Sequence, residues 1–213
     1  MNPPRLSERL LRLLLTDRDR ETITGDLLEE YREIAVPARG ERGARRWYRR
    51  QVASFAWRAN RLPLVIGVAI GMTLGVLNLI GTARAPLADD DAASMLLWFT
   101  AVIAIWGIAS VAVTWRAPRF VDAVKTGAIV GVATILVFHA LSIVRVVVFL
   151  DSIQYRDDWR NLVVRYRNSG FHSLRAFATY EYVAMTPTIA AIGTLAGSAS
   201  GMLGGIVGRW RRS

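Results

Sequence analysis

The chain has 213 residues, is 53% hydrophobic with a mean hydropathy of +0.29, and carries a formal net charge of +10. Cysteine is absent, which excludes disulfides, thiolate metal sites and a cysteine nucleophile. Residues 1–62 hold 14 of the 27 basic residues and the long apolar runs follow, the segregation expected when apolar helices cross a bilayer and charge gathers on the loops.

In chain order, Leu6, Leu10, Leu13 and Leu14 are spaced for one face of a helix over 5–15. The leucine run is interrupted by Arg12 and followed by Asp17, Asp19 and Glu21, so it reads as a retained helix and not a signal peptide. Thr16-Asp17 offers an N-cap for a second helix over about 17–35, with Asp19 and Glu21 in its first turn. Ile23, Leu27, Leu28 and Tyr31 form its apolar stripe and Asp26, Glu29, Glu30 and Glu33 face outward. Pro37 is expected to end it, with a polar loop over Ala38–Gly43. A third helix, Ala44–Arg61, carries Trp47, Val52 and Phe55 beside Arg45, Arg46, Arg49 and Arg50. Those arginines, with Trp47, Tyr48 and Trp57, suit anionic headgroups and the membrane interface.

Four apolar segments match the roughly 20 residues a bilayer core requires, at about 63–82, 94–115, 124–147 and 185–208. Asp89–Asp91 mark the first connection and Arg116 and Arg119 the second. Lys125 and Arg145, near the ends of the third span, are expected to snorkel towards headgroups. Arg209, Arg211 and Arg212 close the chain. Basic residues on the N-terminal domain, on the second connection and on the tail place both termini on the cytoplasmic side. The outer loop, 151–184, bears Arg156, Arg160, Arg165, Arg167 and Arg175, with Asp151, Asp157 and Asp158 near three of them. Trp159, Leu162, Val163 and Tyr166 are spaced as an amphipathic helix, Asn168-Ser169-Gly170 breaks it, and Phe171, Leu174 and Ala178 begin a second piece. The fold class is therefore an all-α integral membrane protein. A small cytoplasmic three-helix domain over 1–62 precedes a four-helix transmembrane bundle over 63–213.

Glycines recur at four-residue spacing in three spans: Gly67, Gly71 and Gly75; Gly127 and Gly131; Gly193, Gly197, Gly201 and Gly205. Such stripes let helix backbones approach closely, either within one chain or in an oligomer or partner complex. His139, near the middle of the third span, needs a polar partner, for which Ser142 is close in sequence. His172 reads as a surface residue. No phosphate loop, Gly-x-Ser-x-Gly or HExxH motif is present, so neither catalytic, metal nor cofactor residues are assigned and the chain reads as non-enzymatic. Nucleic acid is a poor partner, because nine acidic residues accompany the 14 arginines of residues 1–62.

The blocks Pro4-Arg5-Leu6, Gly25-Asp26-Leu27, Glu29-Glu30-Tyr31-Arg32 and Arg46-Trp47-Tyr48 with Gln51 resemble the permease prefix domain (type 2). That domain precedes MacB/FtsX-like ABC-transporter permeases and occurs in shorter membrane proteins. The resemblance covers about residues 3–55. It implies a bacterial inner-membrane protein connected with an ABC-type permease or its ATPase, with Gly25, Asp26, Glu29, Glu30, Tyr31, Arg46, Trp47, Tyr48 and Gln51 as candidate partner-contacting residues. The chain is too short for a complete permease of that kind, which leaves an accessory or regulatory role. The alternative is a small homo-oligomeric channel or transporter assembled through its glycine-rich helices.

Overall fold

A computed structural model describes residues 4–14, 17–88, 92–114 and 120–210. These are all-helical and contain no strand. The Thr16 cap, the Asp89–Asp91 trio, Arg116, Arg119, Arg211 and Arg212 lie outside the described residues. The chain divides into two compact units, Met1–Leu62 and Pro63–Ser213.

The first unit contains α1 (Arg5–Leu14), α2 (Asp17–Glu30) and the beginning of α3 (Val36–Arg84). Leu11, Leu27, Tyr31, Ala35, Ala44, Tyr48 and Val52 form its core, with Ile23, Val36, Trp47 and Phe55 packed against it. On α1 the core contact runs through Ser7 and Leu11, while Leu10 is 46% exposed. Leu10, of the expected leucine face, thus points outward, while Ser7 and Leu11, one turn apart, point inward; the side chains of Leu6, Leu13 and Leu14 lie outside those described. Pro37 does not end the helical path as the sequence suggested. Lacking an N–H for the Glu33 carbonyl, it follows a widened π turn, Tyr31–Ala35, in which the Val36 N–H bonds the Tyr31 oxygen. The expected loop over Ala38–Gly43 reduces to a kink at Gly40 (φ 63°, ψ 171°), a backbone conformation that is essentially glycine's alone.

The second unit contains the remainder of α3, α4 (Ala92–Thr114), α5 (Phe120–Ile153), α6 (Arg160–Arg167), α7 (Leu174–Ala184) and α8 (Thr186–Trp210). Among the described residues, three helical stretches are long and apolar enough to cross a membrane: Thr22–Arg84, Phe120–Ile153 and Leu174–Val207. Phe99–Ala112, within α4, is a shorter apolar stretch. At 34 residues, α5 rises about 51 Å, well beyond a hydrocarbon core of roughly 30 Å.

Helix α5 lies between α3 and α8, and α4 packs on both α5 and α8. Trp106 and Val102 of α4 meet Val130 of α5, flanked by Ile66, Ile70 and Leu74 of α3 and by Ala196 of α8. Between α5 and α8 a 3₁₀ turn, Asp157–Trp159, leads into α6. Gly170, at φ 73°, reverses the chain, and Ser173 caps α7 by accepting a bond from the Ala176 N–H at 3.4 Å. Val146, Leu150 and Ile153 of α5 then bury Trp159 and Ala178.

Candidate functional site

Three groups of residues could carry function: the surface of the first unit, the glycine contacts between helices, and the polar contacts inside the helical bundle.

In the first unit the two sequence blocks behind the resemblance converge. Tyr31 and Tyr48 pack edge to face, with ring centroids 5.5 Å apart and planes at 77°, and both are essentially inaccessible. This corrects the expectation of Tyr48 as an interfacial aromatic and of both tyrosines as partner-contacting residues. Tyr31, which opens the π turn after α2, and Tyr48 of α3 both point into the core, where an aromatic ring buries a large apolar area. Gly25, Asp26, Glu29, Glu30 and Arg46 are exposed, and Trp47 and Gln51 are half-buried. What remains outside is therefore an acidic α2 face and a basic α3 face.

The glycine stripes face the chain's own helices. A Cβ built on Gly67 would lie 2.7 Å from the Val130 oxygen and 2.8 Å from the Ala133 Cβ, and one on Gly71 would lie 2.9 Å from the Val137 Cβ. Gly75 abuts Leu141. Across α5 and α8, Gly127 meets Gly197 and Gly201, while Gly131 meets Gly193 and Gly197. Gly205 packs on Phe120 and Ala123. Backbone against backbone leaves no room for another helix in these grooves. A neighbouring set went unread in the sequence: Gly204 sits against the Gly107 oxygen, and Gly107 against Ser200. Its signal was Gly107, the one glycine of α4.

Polar contacts tie the same helices together. The Trp106 indole Nε1–H donates to Thr134 Oγ1 at 3.2 Å, linking α4 to α5. Ser200 Oγ, 1% exposed, donates to the Ile103 carbonyl at 2.7 Å, linking α8 to α4. His139 Nε2 lies 2.9 Å from the Tyr182 carbonyl oxygen. A carbonyl only accepts, so Nε2 carries the hydrogen. Ser142, the partner expected from sequence, instead donates to Phe138 one turn back. The Tyr182 ring stacks between His139 and Trp159, at centroid distances of 6.0 and 6.2 Å. Arg145, expected to snorkel towards headgroups, is buried within the protein. Near that end α7 returns against α5, packing Ala178 with Val146 and Leu150.

In the segment between α5 and α8 four of the five arginines pair with acids. Arg156, whose side chain is 2% exposed, binds Asp158 through both Nε and Nη2 at 2.9 and 3.0 Å. Arg160 pairs with Asp157 at 2.7 Å, Arg165 with Glu181 at 2.8 Å and Arg175 with Asp151 at 3.0 Å. The last pair borders a shallow cleft of about 360 Å³ that Leu150, Gln154, Ser173 and Leu174 also line. His172 is exposed. Among the described residues no group of three or more His, Asp or Glu side chains is placed to hold a metal ion.

Taken together, the described residues define an all-helical chain with membrane-spanning capacity, whose polar groups join its own helices. No protein-family model, curated protein or solved structure matches the chain.

Proposed function

We propose that this chain is a non-enzymatic accessory or regulatory protein of an ABC-type permease in a bacterial inner membrane. It crosses four times, through α3, α4, α5 and α8, with both termini in the cytoplasm. The observation that carries the reading is the Tyr31–Tyr48 core. The residues shared with the permease prefix domain build that core and leave Asp26, Glu29, Glu30 and Arg46 outward, where a cytoplasmic partner can meet them. Arg156, Arg160, Arg165 and Arg175 are each paired with an acid, so the segment assigned to the outer face carries these four arginines as ion pairs, which is compatible with the topology. The glycines proposed to assemble the channel alternative pack against the chain's own helices, which favours the accessory reading.

The test is purification from native membranes in mild detergent, with identification of the co-purifying chains. A permease or its ATPase at fixed ratio is expected, and the triple change Asp26→Lys, Glu29→Lys, Glu30→Lys is expected to release it. A preparation holding this chain alone overturns the reading.

A further inference from the structure

We infer that the arginine face of α3 is a binding surface for anionic lipid headgroups, an inference that rests on the membrane reading. Residues 41–62 of α3 bury one side, through Ala44, Tyr48 and Val52. At about 100° per residue, Arg42, Arg45, Arg46, Arg49 and Arg50 fall within about 140° of arc on the opposite side. All five are exposed. Trp57 lies in the same arc and is 58% exposed, giving an indole of the kind that settles at headgroup depth. Glu41 approaches this face, 3.7 Å from Arg45; one carboxylate does not offset five guanidinium groups.

The charge fits a polyanion with no fixed register. Five arginines within about 12 Å of helix rise form a dense cationic patch, and Trp57 adds an apolar anchor that an aqueous polyanion does not reward. In chain order the apolar stretch begins at Pro63, directly after Leu62. The face therefore belongs to a juxtamembrane polybasic segment, for which each arginine raises partitioning onto an anionic surface on the order of five-fold.

The experiment uses the full chain with a single reporter, Ala53→Cys, on the exposed arc and carrying a fluorophore. The protein is placed in nanodiscs of phosphatidylcholine alone or mixed with phosphatidylglycerol. Quenching by an aqueous reagent is expected to fall about ten-fold or more in the mixed lipid. It should recover near 1 M salt, where the screening length is about 3 Å. Changing all five arginines to glutamine should abolish the lipid response while the Tyr48 core stays intact. Equal quenching in both lipids, or a response that survives the glutamine changes, overturns the inference alone. Extraction of the chain from native membranes by alkali overturns the membrane reading, and this inference with it.

Discussion

Tyr31 meets Tyr48 edge to face at 5.5 Å, and this pair closes the core of the first unit. Replacing Tyr48 with alanine removes a fully buried ring, at a cost of about 3–5 kcal/mol. A unit of some 60 residues has little more than that in reserve. Tyr48→Ala is expected to open residues 4–62 to hydrogen exchange while α5 and α8 keep their protection. Unchanged exchange in the first unit would show that the core does not depend on this ring.

Glycine substitutions should divide sharply by position. A Cβ on Gly197 reaches the Gly127 carbonyl oxygen and lies 2.9 Å from the Gly131 Cα, both backbone atoms that cannot step aside. A Cβ on Gly81 meets nothing within 4 Å. Gly197→Ala is expected to lower the thermal midpoint in detergent, and Gly197→Val to separate α5 from α8 in disulfide trapping. Gly81→Ala should be neutral or stabilising by up to about 1 kcal/mol, from helix propensity. Equal behaviour of Gly197→Ala and Gly81→Ala would contradict the packing.

The Trp106–Thr134 bond can be weighed by a double-mutant cycle of Trp106→Phe and Thr134→Val. Buried hydrogen bonds between membrane helices couple by about 0.6 kcal/mol on average and up to about 1.7. A coupling in that range, read from reversible unfolding in mixed micelles, is the expected result. Zero coupling would show that the 3.2 Å contact contributes packing and no bond. Ser200→Ala, which removes the 2.7 Å bond to the Ile103 carbonyl, should cost a comparable amount.

The chain has two histidines, and nitrogen-15 spectra can assign both. His139 is expected in the Nε2–H form, because it donates to the Tyr182 carbonyl. The exposed His172 provides an internal reference. The Nδ1–H form at His139 would break the predicted link between α5 and α7.

Topology can be read by cysteine labelling in a cysteine-free background. Gly40 is unsuited as a reporter position, since its positive φ strains any other residue. Ala38→Cys and Ala88→Cys avoid that problem, both positions being exposed. The proposed topology predicts labelling at 88 in intact cells and at 38 after lysis; the reverse pattern overturns it.

The sequence by itself determined the helical class and the presence of apolar stretches long enough for a membrane. Both follow from local properties, run length and residue type, that need no partner to be read. It also marked Gly67, Gly127 and Gly197 as places for close approach, since a missing Cβ is visible in one dimension. It left open whether those glycines face the same chain or another molecule. Only the tertiary structure decided that, by laying α5 between α3 and α8. It decided as well that Tyr48 belongs to the core and not to the interface, that α1 presents Leu11 and not Leu10, and that His139 answers to Tyr182 and not to Ser142. Each of these depends on which helix lies opposite. The partner of His139 is 43 positions away in the chain, and helical periodicity specifies a face but not what will cover it.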